Sequence, residues 1–142
     1  MSKTIFFDAN IFLDINDTER INNHSALQAL TYCLKESIKI VTSCDLITTI
    51  YYIRSKQDRA MALQHIVDIQ TICHIIEFSN LEVVDTCNLM LEDNDYTDLE
   101  DTIQYILALK EGCELILTND KNFVSKEIPL MTSEEFLEKY LS

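Results

Sequence analysis

Short, uninterrupted apolar runs alternate along this chain with longer stretches whose apolar positions recur every three or four residues. The first pattern marks strands buried on both faces, the second amphipathic helices. Residues 4–7 (TIFF) are such a run and stop at Asp8-Ala9-Asn10, which predicts a buried strand entering a loop. Residues 22–36, apolar at 26, 27, 30 and 34, predict a helix. KIVT at 39–42 predicts a second strand, with Ser43 as N-cap of a helix over 45–56. A helix over 58–72 follows, with Ala60, Leu63, Ile66, Val67 and Ile69 near a 3.6-residue period. Residues 74–78 read as a third strand and 81–91 as a helix capped by Ser79 or Asn80. The next helix, 96–111, is opened by Thr97 with Glu100 three residues on, a capping-box pattern. Gly112 supplies the left-handed residue that ends many helices. LILT at 115–118 and residues 128–131 complete five strands, and Ser133 opens a short terminal helix.

Strands alternating with helices over 142 residues predict one domain, residues 1–142. Its expected fold is a three-layer α/β/α sandwich around a mostly parallel, five-stranded sheet. One Gly and one Pro leave no flexible linker and exclude a glycine-rich phosphate loop. Five cysteines, odd in number and without a C-x-x-C pair, argue against disulfides or structural zinc and for a reducing, cytoplasmic setting. No stretch reaches the 18 or so apolar residues of a membrane span, and the start MSKTIFFDANIF has no signal-like apolar core.

Charge narrows the function further. Against 24 Asp and Glu stand 11 Lys and Arg, a net −13, which excludes nucleic-acid binding through a broad basic face. An acidic chain still meets phosphates where a divalent cation lies between. Two strands end in acids, the first at Asp8 and the fourth at Asp120, and Asp98 and Asp101 open a later helix. In open α/β sheets ligands bind beyond the carboxyl ends of the strands, so these acids have a place to meet. Converging carboxylates repel unless a cation joins them, and an all-oxygen set selects Mg²⁺ or Mn²⁺ over zinc. The natural chemistry of such a site is metal-assisted phosphodiester hydrolysis. A lone acid after a strand is more often a cap or turn former, and Asp98 in particular suits a helix N-terminus. The conjunction of three motifs is what favours the site.

The strand-D-x-N start (residues 5–14), DLEDTIQYILAL at 98–109 and ILTNDKNF at 116–123 together resemble a PIN domain, including the VapC-like toxin ribonucleases. The resemblance covers nearly the whole chain. It implies an α/β/α fold, Mg²⁺- or Mn²⁺-dependent endoribonuclease activity, a homodimer and often a small antitoxin partner. On that pattern Asp8, Asp101 and Asp120 match family acids that carry catalysis and metal. Asn10 and Thr118 match their polar supports, and Asp98 an accessory acid. The chain departs at the family's second acid, a Glu about six residues past a Ser. Counting from Ser43 reaches Thr49; no Glu lies in 37–76, and Asp45 is the one acid in that helix's first turn. Two readings follow: a toxin-like nuclease of RNA, and a catalytically weakened scaffold that binds protein or RNA partners.

Other residues carry less. His24, His65 and His74 lack ligand spacing and read as packing residues. A receiver or haloacid-type phosphatase is disfavoured, the latter because position 10 is Asn where its D-x-D motif needs Asp. Arg54, Lys56 and Lys121 are candidate RNA-phosphate contacts, although a solvated helix end is the more frequent reason for cations placed like the first two, and a similar weighting holds for Lys121. Residues 60–109 hold ten acids and no Lys or Arg, an unsuitable RNA track and a plausible face for a basic partner.

Overall fold

In a computed structural model, which describes residues 3–141, five strands form one wholly parallel sheet. The strands are β1 (Thr4–Phe7), β2 (Lys39–Ser43), β3 (His74–Ile76), β4 (Leu115–Leu117) and β5 (Leu130–Met131), in the spatial order β3-β2-β1-β4-β5. The helices are α1 (Ala9–Ile15), α2 (Asn23–Lys35), α3 (Cys44–Ser55), α4 (Arg59–Ile72), α5 (Asn80–Glu92), α6 (Leu99–Lys110) and α7 (Ser133–Tyr140). Right-handed crossovers place the helices between β1 and β3 on one face. The return from β3 across to β4 places α5 and α6 on the other. Helix contacts agree: α7, α2, α1, α3 and α4 pack in succession, and α5 packs on α6.

The centre of the sheet is dry. Ile5, Phe6 and Phe7 of β1 and Ile116 and Leu117 of β4 are buried, with Phe12, Ile50, Leu107 and Phe136 covering them from the helices. That is why the strands read as continuous apolar runs rather than as alternation. Strand order reverses between β1 and β4, so the crevice at their carboxyl ends is the expected ligand position.

Three local expectations change. The chain after β1 is a helix, not a loop: Asp8 is the N-cap of α1 and its carboxylate accepts the Ala9 N–H. Seven residues are too few to show a helical period. Helix α6 starts at Leu99, and Asp98 is its cap, accepting the Asp101 N–H at 2.8 Å, so Thr97 and Glu100 form no box. Tyr96 instead packs in the core, its ring 5.1 Å from that of Tyr105. The third and fifth strands are shorter than their apolar runs. Ser79 is the N-cap of α5, its N–H donating to Glu82 Oε1 at 2.8 Å, and Gly112 sits at φ 72°, where its N–H and that of Cys113 reach back to Leu109 and Ala108. The five cysteines are all free, and no helix among the described residues is long and apolar enough to cross a membrane.

Candidate active site

The turn from β1 into α1 and the turn after β4 face each other across the switch point, and polar side chains stitch them together. Asp8, 5% exposed, receives three hydrogen bonds. Its Oδ1 accepts Ala9 N at 2.8 Å, and its Oδ2 accepts Asn10 Nδ2 at 3.1 Å and Thr118 Oγ1 at 2.8 Å. Thr118 Oγ1 in turn accepts from Asn10 Nδ2 at 3.2 Å and Asp120 N at 3.1 Å. Asn10 Oδ1 accepts the Asn119 N–H at 2.8 Å. Asn10 and Thr118 therefore hold Asp8 and fix the loop that carries Asp120, as supports should.

Asn119 extends the lattice. It donates to Asp14 Oδ2 at 2.8 Å and to Ser133 Oγ at 3.1 Å, and accepts the Ser133 N–H at 2.9 Å. Asp14 is buried and its other oxygen pairs with Arg20 Nε at 2.7 Å. Buried polar groups need this satisfaction, and here it also makes the site's floor rigid.

Asp101 enters from the first turn of α6. Burial and the charges of Asp8, Asp98, Asp120 and Glu100 push its carboxyl up to about 7. Burial, with Asp120 nearby, also raises Asp8 against the pull of its hydrogen bonds. Glu100 is raised by burial and by Asp45, Asp8 and Asp98. The predicted trio Asp8, Asp101 and Asp120 is thus electrostatically one group. Asp98 belongs to it as the cap that anchors Asp101. Glu100 and Asp45 join it, which the sequence reading did not foresee for Glu100, having assigned it to a capping box.

At the family's second acidic position Thr49 is half-buried on α3, and Asp45 lies one turn earlier on the same helix. Gln104 of α6, fully buried, donates from Nε2 to Asp45 Oδ2 at 3.3 Å, and its Oε1 has no partner among the described residues.

All donors here are oxygens, the set that suits Mg²⁺ or Mn²⁺. Among the described residues no three acids close around one point as a cage would.

The basic candidates divide. Lys121 is exposed and borders the Asp120 loop. Arg54 is not with the acids: its guanidinium donates to the Asn16 carbonyl at 3.1 Å, lies 3.6 Å from Asp17, and is mostly buried. Lys56 lies over the Tyr52 ring at 4.4 Å, at the far end of α3. His65 is buried beside Arg54, its imidazole held down to about 4 by burial and by that charge, so it packs as a neutral ring. Within the acid-rich stretch, Glu82 and Asp85 pair with Lys110, and Asp93 and Asp95 with Lys126.

A parallel α/β sheet whose switch point gathers carboxylates from β1, β4 and a helix start defines the PIN class. The PIN-domain profile matches residues 4–122, and the chain belongs to this family. It is 45% identical over 139 residues to ribonuclease VapC1 of Aquifex aeolicus (strain VF5), covering 98% of this chain and 96% of that protein. Solved structures share the fold at low identity. One is VapC20 of Mycobacterium tuberculosis, described as a sarcin–ricin loop cleaving toxin (TM-score 0.67, 13% identity, 84% of this chain and 92% of that one). Another is a toxin–antitoxin complex from Klebsiella pneumoniae (TM-score 0.67, 19% identity, 91% and 97%).

Proposed function

We propose that the protein is a Mg²⁺- or Mn²⁺-dependent endoribonuclease and the toxin of a toxin–antitoxin pair. The observation that supports this most is the convergence of Asp8, Asp101 and Asp120 from three separate segments at the switch point, where the Asp120 charge helps raise the Asp8 and Asp101 carboxyls and Asp8 helps raise Asp101. Near-full-length similarity to a ribonuclease points the same way. Asp8, Asp101 and Asp120 would hold the ion, which when bound supplies Lewis-acid polarisation of the phosphate and an activated water. Asn10 and Thr118 keep Asp8 aimed, their hydrogen bonds favouring its charged form, and Asp98 keeps the start of α6 in place. The protein would work in the cytoplasm as a homodimer, with a small antitoxin as partner, as a relative's solved complex supports. Purified protein should cleave single-stranded RNA when Mg²⁺ or Mn²⁺ is added and lose cleavage in excess EDTA. Cleavage indifferent to EDTA would overturn the assignment.

The weakened-scaffold reading rests on Thr49, and Asp45 answers it. We propose that Asp45, held by Gln104, takes the place of the missing acid. Asp45→Asn should weaken Mn²⁺ binding in calorimetric titration by about tenfold, the lower end of losses on removing a supporting ligand group. Adding Thr49→Glu should restore affinity. Unchanged Mn²⁺ affinity in Asp45→Asn would leave the site one carboxylate short, as the scaffold reading requires.

A further inference from the structure

A groove of about 490 Å³ opens beside the acids, sharing Asn10 and Asp120 with them and walled on its far side by Arg20 and Ile21. Neither residue drew notice in the sequence, because both lie in the aperiodic segment between α1 and α2. Their surroundings are specific. Arg20 Nε is tied to the buried Asp14 at 2.7 Å, and Asp14 is tied to Asn119, the residue just before Asp120. One edge of the guanidinium is therefore anchored to the site's own scaffold. Its two Nη groups have no partner among the described residues. Ile21 beside it is 94% exposed, an apolar surface with nothing on it.

We infer that this groove is a nucleotide subsite, in which Arg20 binds an RNA phosphate next to the scissile one and Ile21 lies against the attached base or ribose. The inference rests on the ribonuclease reading. A planar guanidinium oriented by a carboxylate presents two parallel donors to phosphate oxygens, which a flexible lysine does not. RNA then crosses the Asp120 loop between Arg20 on one side and Lys121 on the other. This replaces the expected route along Arg54 and Lys56.

The test measures binding of a fluorescein-labelled, mixed-sequence single-stranded RNA by anisotropy in Mg²⁺, with every protein carrying Asp8→Asn so that the RNA stays intact. Arg20→Ala should weaken binding about tenfold, the scale of one charge-assisted contact. It should also flatten the slope of log affinity against log salt by about 0.7, one phosphate contact on a single strand. Removing Arg20 leaves Asp14 unpaired, so Arg20→Gln, which keeps an N–H for Asp14, is measured beside it and should lose the same slope. Lys35→Ala, an exposed charge on α2, should change affinity less than twofold. RNA affinity unchanged in both Arg20 variants overturns the subsite and leaves the groove to some other occupant. Affinity lost with the slope intact overturns the phosphate contact and makes Arg20 a scaffold residue. If the Asp8→Asn protein binds no RNA and the unmodified protein cuts none, the ribonuclease reading itself fails.

Discussion

Replacing Asp8 with Asn should lower the proposed metal-dependent RNA cleavage by about 10³-fold, the effect of removing a preorganised charge from a reacting centre. The fold should survive. Asn keeps the size of Asp and can still accept the Ala9 N–H that caps α1. An amide Nδ2 there would put a donor where Oδ2 accepts from Asn10 Nδ2 and Thr118 Oγ1, although Asn10 Nδ2 keeps Thr118 Oγ1 as its acceptor. Against those lost bonds stands relief from holding a carboxylate where it is 5% exposed and faces Asp120. The two terms oppose, so the melting temperature of the metal-free variant should stay within about 3 °C of the parent, less than about 1 kcal/mol at this chain length. Circular dichroism melts and a cleavage time course read both quantities on one preparation. Full activity in a folded Asp8→Asn protein removes the catalytic assignment.

The acids of the proposed site were legible because strand ends are legible. A parallel strand buried on both faces is an apolar run, and the acid that stops it lies at the sheet's carboxyl edge, as Asp8 and Asp120 do. What joins those acids was not legible. The bond from Gln104 to Asp45 spans 59 residues, and Gln104 sits in a helix whose pattern asks only for burial. Helix α1 was missed because seven residues between a strand and a polar turn show no period, although its cap, Asp8, was already singled out for chemistry. Asp8 and Asp98 each cap a helix and also stand in the proposed site, so a capping acid is not thereby removed from the site. Arg20 was hidden by its setting: residues 16–22 are polar but for Ile21 and aperiodic, and only the fold links Arg20 through Asp14 to Asn119. Arg54 shows the reverse error, a cation at the right sequence distance whose side chain is taken up by Asn16 and Asp17.

Asp101→Asn should make the metal-free protein more stable while removing its activity. Burial and four neighbouring acids raise the Asp101 carboxyl from 3.8 to about 7, so ionising it costs the folded state free energy. Discounted for the solvent that reaches this half-buried group, the cost is about 1–2 kcal/mol, or roughly 3–6 °C in melting temperature. The sign with pH follows from proton binding. Between about pH 4 and 7 the folded chain holds more protons at Asp101 than the unfolded one, so stability from this group falls as pH rises through that window. His65, held down to about 4 from 6.5, works oppositely, because the unfolded chain binds its proton first as pH falls below 6.5. Subtracting variant from parent cancels His65. The gap in melting temperature should be near zero at about pH 4 and reach its full size by about pH 7.5. Mg²⁺ should then close it from the parent's side: a cation bound among the acids stabilises the folded state by mass action, and the variant has lost a ligand. A gap that is flat across pH, or a variant stabilised by Mg²⁺ as much as the parent, would mean that Asp101 stands apart from the other carboxylates, contrary to the repulsion that defines this site.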